Sequence, residues 1–270
     1  MTIDRFSVSA LRDYHACPKR FYFKRVMKLP EPTTPNMVYG SIVHAAFYTA
    51  YAVPKANGQW EVTGEFDPAW ALTVYDRLTS RNDGDTPADN VDEVLFSQLP
   101  TLTNLNIGKG RTKAMAGREG WTAHFRNMLS NALNAPLPNP IAIEQRVEYR
   151  MGGTAMLGFI DMILLDEEVG KVLVDLKTGY NAPTEAELRL NDQVARYYKA
   201  IPDANEFWLY HMRSGKLYAV ERNEKLISFL SKEDSRIATL VNSEADVDTK
   251  FPRRFGEQCA YCPFSNRCLL

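Results

Sequence analysis

The sequence predicts an α/β fold built on a mixed β-sheet, and three observations predict it. Residues 141–151, 154–165 and 171–176 read as three consecutive strands. A helical segment follows, opened by a capping box of Thr184 and Glu187. A further strand run comes after that helix. The order is therefore helix, three strands, helix, strand, the order of an α/β core with a mixed sheet.

Taken in order, residues 7–28 carry a helical pattern broken at Cys17-Pro18. Residues 36–53 read as a buried helix containing His44, and 68–79 and about 119–133 also read as helical. The stretch 80–90 is polar and bears Pro and Gly, so it is expected as a loop. Residues 105–119 are basic and Gly-rich, and 135–140 form a Pro-rich boundary before the strands. The capped helix is expected to run unbroken from Thr184 to about Ala200, packing through Leu190, Val194, Tyr198 and Ile201. Residues 206–212 and 216–221 form a second hairpin around Ser214-Gly215, and 224–243 are helical. A Cys-bearing tail ends the chain. This divides it into an N-terminal segment (1–35), a helical region (36–140), a core (141–245) and a tail (246–270).

The 270 residues are 45% hydrophobic and 24% charged, which is ordinary globular composition. Net charge is −1, so no overall field draws in nucleic acid, and any such binding must use local basic patches. No apolar run is long enough to span a bilayer, so no membrane partner is expected. The opening MTIDRFSVSA lacks the charged and apolar regions of a signal peptide, which makes a cytosolic protein the default. In a reducing cytosol the four cysteines suggest metal or cluster ligation before disulfides.

The most informative constellation is Asp161, Asp175 and Lys177, in the runs GFIDMILLD and KVLVDLKTG. The link between the runs is polar and carries Gly170, as a hairpin turn does. If the chain folds near Glu168, Asp161 and Asp175 face each other across the pair, with Cβ atoms roughly 5 Å apart. Period-two alternation adds Lys177 to the same face, while Val172, Val174 and Leu176 form the apolar face. Two carboxylates and a lysine in one small space are costly unless a cation fills it. The bland alternative is a solvated sheet face with a chance salt bridge.

His44 alone reads more simply as a core histidine than as a ligand, and gains weight only beside the carboxylates. Gln193 and Tyr197 are four apart, so they share one helix face shortly after DLKTG. In the tail, Cys259, Cys262 and Cys268 are spaced C-x2-C-x5-C, and Cys17 is distant in sequence. Four thiolates suffice for tetrahedral zinc or one iron–sulfur cluster, and either would fasten the two chain ends together. Zinc sites commonly pair two C-x2-C knuckles, and the single knuckle here leans toward a cluster. The loop GKGRTKAMAGR holds Lys109, Arg111, Lys113 and Arg118, lacks a P-loop pattern, and reads equally as a phosphate contact or a solvated loop. Lys250, Arg253 and Arg254 form another small basic group.

Together these segments resemble the PD-(D/E)XK nuclease superfamily, and within it the RecB-type nucleases and the iron–sulfur exonucleases of CRISPR systems and phage recombination. SVSALRDYHACPKRFYF resembles the family's N-terminal segment, and GSIVHAAF its G-x-x-x-H helix. GFIDMI resembles G-x-x-D through Gly158 and Asp161, and VDLKTG resembles (D/E)-x-K-T-G through Asp175 and Lys177. QVARYY resembles Q-x-x-x-Y through Gln193 and Tyr197, and the four cysteines resemble the family's cluster ligands. Asp175 stands where many relatives carry Glu, and the region from about 56 to 135 matches no family motif.

The resemblance implies a restriction-endonuclease-like αβββαβ core with a helical insertion and a [4Fe-4S] cluster joining the N- and C-terminal segments. It implies Mg²⁺ or Mn²⁺ held by His44, Asp161, Asp175 and the main-chain carbonyl of Leu176. Lys177 would orient the attacking water or stabilise the charged transition state, and Gln193 and Tyr197 would position the scissile strand. Glu144, on the strand before the hairpin, is a weaker candidate because only some relatives carry an acid there. The implied activity is DNA exonuclease, in the cytoplasm of a bacterium or of a phage-infected host. A helicase or recombination partner would supply any unwinding, since no helicase motif is present, and a homo-oligomer is compatible with the family. Competing expectations are a DNA endonuclease, a catalytically silent iron–sulfur DNA-binding scaffold, and an iron–sulfur redox protein.

Overall fold

The structure is a computed structural model that describes residues 2–101 and 117–269. The chain enters through a short strand, β1 (Phe6–Ser7), and helix α1 (Val8–Ala16), where the Ser7 hydroxyl accepts the Ala10 N–H as N-cap. Extended backbone at Cys17 ends α1, and Pro18 opens α2 (Pro18–Phe21), since a first-turn proline sacrifices no helical hydrogen bond. A π-helical turn over Tyr22–Val26 continues it. Helix α3 (Pro35–Thr49) is capped by Thr34 and carries His44. A small hairpin follows, β2 (Ala52–Pro54) with β3 (Trp60–Val62), then α4 (Pro68–Ser80), α5 (Asn90–Gln98) and α6 (Gly117–Asn134).

The three expected strands are β4 (Pro140–Met151), β5 (Thr154–Asp166) and β6 (Gly170–Lys177). After them come α7 (Glu185–Arg189), α8 (Asp192–Ala200), the hairpin of β7 (Glu206–His211) and β8 (Lys216–Ala219), and α9 (Glu224–Val241). The tail holds α10 (Val247–Lys250), a 3₁₀ turn (Glu257–Tyr261) and α11 (Ser265–Leu269).

Among the described residues β1 and β4 to β8 form one mixed sheet. β5 lies antiparallel to β4 along nearly its whole length, from Met151↔Thr154 to Pro140↔Leu164. On its other edge β5 pairs with β6 only from Asp166↔Gly170 to Met162↔Val174. That register places the turn near Glu168, as the sequence predicts. Beyond Met162 the two strands part: β6 runs on parallel to β7, while β1 pairs with β5 at Met156 and Leu157. Residues 158–161 of β5 are left without a strand partner on that edge. The sheet is thus forked, and the fork is where the candidate site lies.

Each face of the sheet buries its own core. Tyr39, Ile42 and Phe47 of α3, Tyr75 of α4 and Phe125 of α6 pack on Met162, Leu164, Val172 and Val174. Leu11 and Tyr14 of α1, Tyr198 of α8 and Ile237 of α9 pack on Ile160, Leu173 and Phe207 from the other side. Val172, Val174 and Leu176 do form one apolar face, and Leu173 serves the opposite core. No helix among the described residues is long and apolar enough to cross a membrane.

The structure differs from expectation at several elements. The helix expected from Thr184 to Ala200 is two helices. The Thr184–Glu187 capping box is present, but the Asn191 side chain accepts the N–H groups of Gln193 and Val194 and starts a new helix. Leu190, expected to pack, therefore sits at the break and is 64% exposed. The helix expected over 36–53 stops at Thr49, because Tyr51 turns its carbonyl to Thr63 and the chain enters the small hairpin. The loop expected over 80–90 is shorter on both sides, and Asp89 caps α5, which the sequence pattern did not reveal. β1 was also missed, since two residues carry no periodicity. Lys109, Arg111 and Lys113 of the basic loop, and the Arg118 side chain, lie outside the described residues.

One buried ion pair ties three of these helices together. Arg196 and Asp234 are both fully buried and share two hydrogen bonds of 2.9 and 2.7 Å. Arg196 also donates to Asp192 at 2.6 Å, and His15 of α1 stands 3.6 Å from Asp234. Burial alone would raise the Asp234 carboxyl, but bonds from His15 and Arg196 outweigh it and hold it below the usual range. Replacing Asp234 by Ala strands the guanidinium in the core and should cost about 3–5 kcal/mol in chemical denaturation. A loss under about 1 kcal/mol would mean that the pair behaves like a solvent-exposed one.

Candidate active site

The fork exposes a backbone donor that a side chain must satisfy. With β5 gone, the Leu176 N–H has no strand partner on that side, and Asp161 Oδ2 accepts it at 2.7 Å. The register projects Asp161 against Asp175, one step past the last backbone pair. Asp175 is 6% exposed, and its Oδ1 accepts Gln193 Nε2 at 2.8 Å. Its Oδ2 is buried and faces Lys177 Nζ at 2.5 Å, an ion pair without hydrogen-bonding geometry. Asp161, Asp175, Lys177 and Gln193, expected together from the sequence, are brought together by these contacts.

β4 and α3 add two more groups. Ile143↔Met162 and Gln145↔Ile160 bracket Glu144 and place it beside Asp161 on the other edge of β5. Glu144 has φ +47°, a left-handed conformation that is strained for a residue with a side chain in mid-strand. His44 Nδ1 stands 3.9 Å from Asp161 Oδ2, and the Tyr48 hydroxyl lies 3.3 Å from the same nitrogen. His44, Glu144 and Asp161 offer ligand atoms all within 4.8 Å of one another. Glu144, the weaker candidate by sequence, is thus nearer this group than Asp175 is.

The electrostatics of the group are those of buried acids whose neighbouring positive groups do not offset burial. Burial, then the Asp161 charge, pushes the Glu144 carboxyl up to about 7. Burial and the Asp175 charge push Asp161 up to about 6, against the pull of His44, the Leu176 N–H and Lys177. Burial holds the Tyr48 phenol well above its ordinary value, and the neighbouring acids add to this. A divalent cation fits this set: the donors are mostly carboxylate oxygens with one imidazole, and Asp175 Oδ2 is buried without a hydrogen bond.

Gln193 and Tyr197 share one face of α8, as their spacing predicts, but they do different things. Gln193 reaches Asp175, whereas Tyr197 is 5% exposed and donates its hydroxyl to the Phe159 carbonyl at 2.5 Å. The Tyr197 ring lies over Gly158, where an added Cβ would come within 2.7 Å of the ring. Gly158 is therefore required by close approach, and Tyr197 braces the unpaired part of β5 instead of presenting its ring to solvent. Two contacts escaped the sequence reading. Arg12 of α1 donates to Gln193 Oε1 at 3.2 Å, a contact that only the fold creates. Tyr48 lies one helical turn from His44, a spacing that could have found it.

Cys17, Cys259, Cys262 and Cys268 are all free and line one cavity with Arg20, Arg253 and Phe264. Arg254 donates to the His15 carbonyl, which lays the tail beside the end of α1. Burial pushes the Cys268 thiol up, and the other three cysteines add to this against the nearby Arg253. No three of these thiols lie within 4.8 Å of one another among the described residues.

A forked mixed sheet that gathers acids, a lysine and an imidazole in one place has the chemistry of a metal-dependent hydrolase of phosphodiesters. The family model of the PD-(D/E)XK nuclease superfamily matches residues 5–269, and the chain belongs to that superfamily. Membership implies a nuclease that uses a divalent metal and takes DNA as substrate. A solved structure, "Crystal structure of SSO0001", is similar at 16% identity and a TM-score of 0.35, over 57% of this chain and 72% of that one. No curated protein matches the sequence.

Two measurements probe this geometry. The Glu144 and Asp161 carboxyls bind protons more tightly folded than unfolded, so without metal their contribution to stability falls as pH rises from about 4 toward 7. Glu144→Gln should therefore raise the melting temperature of the metal-free protein at pH 8 and leave it nearly unchanged at pH 4. A pH-independent difference would show that the carboxyl is not held in this unfavourable state. Gly158→Ala must displace the Tyr197 ring and should cost about 1–3 kcal/mol in urea unfolding. An unchanged midpoint would show that the ring has room to move.

Proposed function

We propose that this protein is a metal-dependent DNA exonuclease of the RecB-type, iron–sulfur branch of the superfamily. It would act on single strands or DNA ends in recombination, repair, or phage- or CRISPR-related processing, within the cytoplasm. The observation that carries the nuclease reading is the convergence of Asp161, Asp175 and Lys177 at the fork, beside His44 and Glu144.

His44, Glu144, Asp161, Asp175 and the Leu176 carbonyl would hold Mg²⁺ or Mn²⁺. When bound, the ion supplies a water of lowered pKa and offsets negative charge on the phosphate. Lys177 provides the ammonium that orients the attacking water or meets the developing charge. Gln193 holds Asp175 through its Oδ1 and is in turn held by Arg12. Tyr197 is a positioning residue, acting through the Phe159 carbonyl. The preference for ends rests on the motif resemblance, and a helicase or recombination partner would supply unwinding.

The four cysteines would hold a [4Fe-4S] cluster that fastens the tail to the end of α1. Thiolates on one zinc ion stand about 3.8 Å apart, given Zn–S bonds near 2.3 Å in a tetrahedron. Among the described residues no three of the four thiols come within 4.8 Å of one another, so the choice of the cluster over zinc rests on the motif resemblance and the single C-x2-C knuckle. Its role would be structural, because the closed chain ends hold α1 against α8.

Asp161→Ala, Asp175→Ala and Lys177→Ala should each lower Mn²⁺-dependent hydrolysis by roughly three orders of magnitude with far-UV circular dichroism retained. Wild-type turnover in any one of them removes that residue from the mechanism. Linear single-stranded DNA should be degraded and a circular single strand spared, and cleavage of the circle would make the enzyme an endonuclease. The purified protein should be brown, with Cys262→Ser losing both colour and thermal stability, whereas a colourless zinc protein would overturn the cluster assignment.

A further inference from the structure

The cleft beside the candidate metal group has walls that hydrolysis itself does not require. It measures about 510 Å³ and is lined by His44 and Glu144 together with Met37, Tyr48, Trp60 and Phe159. The small β2–β3 hairpin carries Trp60, which meets Tyr48 edge-on at 5.4 Å between ring centroids. Tyr48 in turn meets His44 at 5.9 Å, so a row of rings leads from the metal group into the cleft. On β5, Phe159 precedes Asp161 by two residues and is 47% exposed. A phenyl ring this open, within two residues of Asp161, leaves nearly half its surface to solvent beside the candidate site.

The aromatic part of the cleft lining suits a base more than a phosphate. Among the described residues no lysine or arginine lines this cleft, and Glu144 is its one acid. Arg12 and Lys177 line a separate cleft together with Glu187 and Asp192, and Arg12 pairs with Asp192 at 3.4 Å. A neutral, flat, polarisable base suits these aromatic walls, while the ion that His44 and Glu144 would hold in the same cleft takes the phosphate.

We infer that the cleft is a stacking subsite for an unpaired nucleobase of the substrate strand, with Phe159 and Trp60 as its aromatic walls. The inference rests on the nuclease reading and narrows its substrate. A base inside a duplex has both faces covered and its edges paired, so a single-stranded or frayed nucleotide can enter the cleft and offer a face to Phe159 where an internal paired one cannot. The subsite therefore selects single strands and melted ends before the acids engage the phosphodiester.

The test measures binding of a single-stranded oligonucleotide carrying 2-aminopurine, and of a blunt duplex, in EDTA so that nothing is cut. Phe159→Ala should weaken single-strand binding about ten-fold and abolish the quenching that stacking causes in 2-aminopurine. The slope of log affinity against log salt should stay unchanged, because no phosphate contact is lost. Phe159→Trp should restore affinity and quenching, while Phe159→Leu, which keeps bulk without an aromatic face, should not. The Phe159 carbonyl that braces Tyr197 is retained in all three variants. Trp60→Phe, a milder change where the ring packs on Tyr48, should reduce affinity in the same direction. Wild-type affinity in Phe159→Ala, equal losses on single strand and duplex, or a reduced salt slope would each overturn the stacking subsite. A wild-type protein that neither binds nor cuts DNA would instead defeat the nuclease reading, so the two failures are distinct.

Discussion

The parting of β5 from β6 is the constraint on which the rest of the structure depends. A paired strand would satisfy the Leu176 N–H with a backbone carbonyl and leave no room between the strands. Because the strands separate after Met162 and Val174, the Asp161 carboxylate takes that role, and a space opens beside Asp175 and Lys177. The same separation frees the edge of β5 for β1, which brings α1 and its Arg12 to the site. One local failure of pairing therefore recruits groups from elements far apart in the chain.

The fork persists because both sides are braced. Tyr197 reaches across to the Phe159 carbonyl and occupies the room left by Gly158, supporting the unpaired stretch of β5 from α8. β6 is held independently by its parallel partner β7, from Val172↔Glu206 to Lys177↔His211. His211 contacts the Gly179 carbonyl at 3.0 Å and Arg213 donates to the Thr178 carbonyl at 2.8 Å, so the segment after Lys177 is also fixed. The acids are consequently held close despite their mutual repulsion, which is the state a cation relieves.

The N-terminal and C-terminal segments act on this site from outside it. α1 is joined to α8 and α9 through His15, Asp234 and Arg196, and the tail lies against α1 through Arg254. α8 carries both Gln193 and Tyr197, so the packing of the chain ends and the orientation of Asp175 share one helix. This gives the cysteine cavity a mechanical connection to the acids without any direct contact between them.

Much of this was legible in the sequence because strand and hairpin physics is local. Period-two patterning and the Gly170 turn determine the β5–β6 register, and that register alone places Asp161 against Asp175 and Lys177 beside it. The Thr184–Glu187 cap and the Ser214-Gly215 hairpin are equally local. Glu144, by contrast, owes its place to a left-handed kink in β4, and Tyr197 is buried because a glycine from another strand makes room for its ring. Neither event leaves a periodic trace. The break at Asn191, the arrival of Arg12 and the aromatic wall beside His44 depend on contacts between distant segments, whose energies exist only once the chain has packed. Only the tertiary structure could decide them.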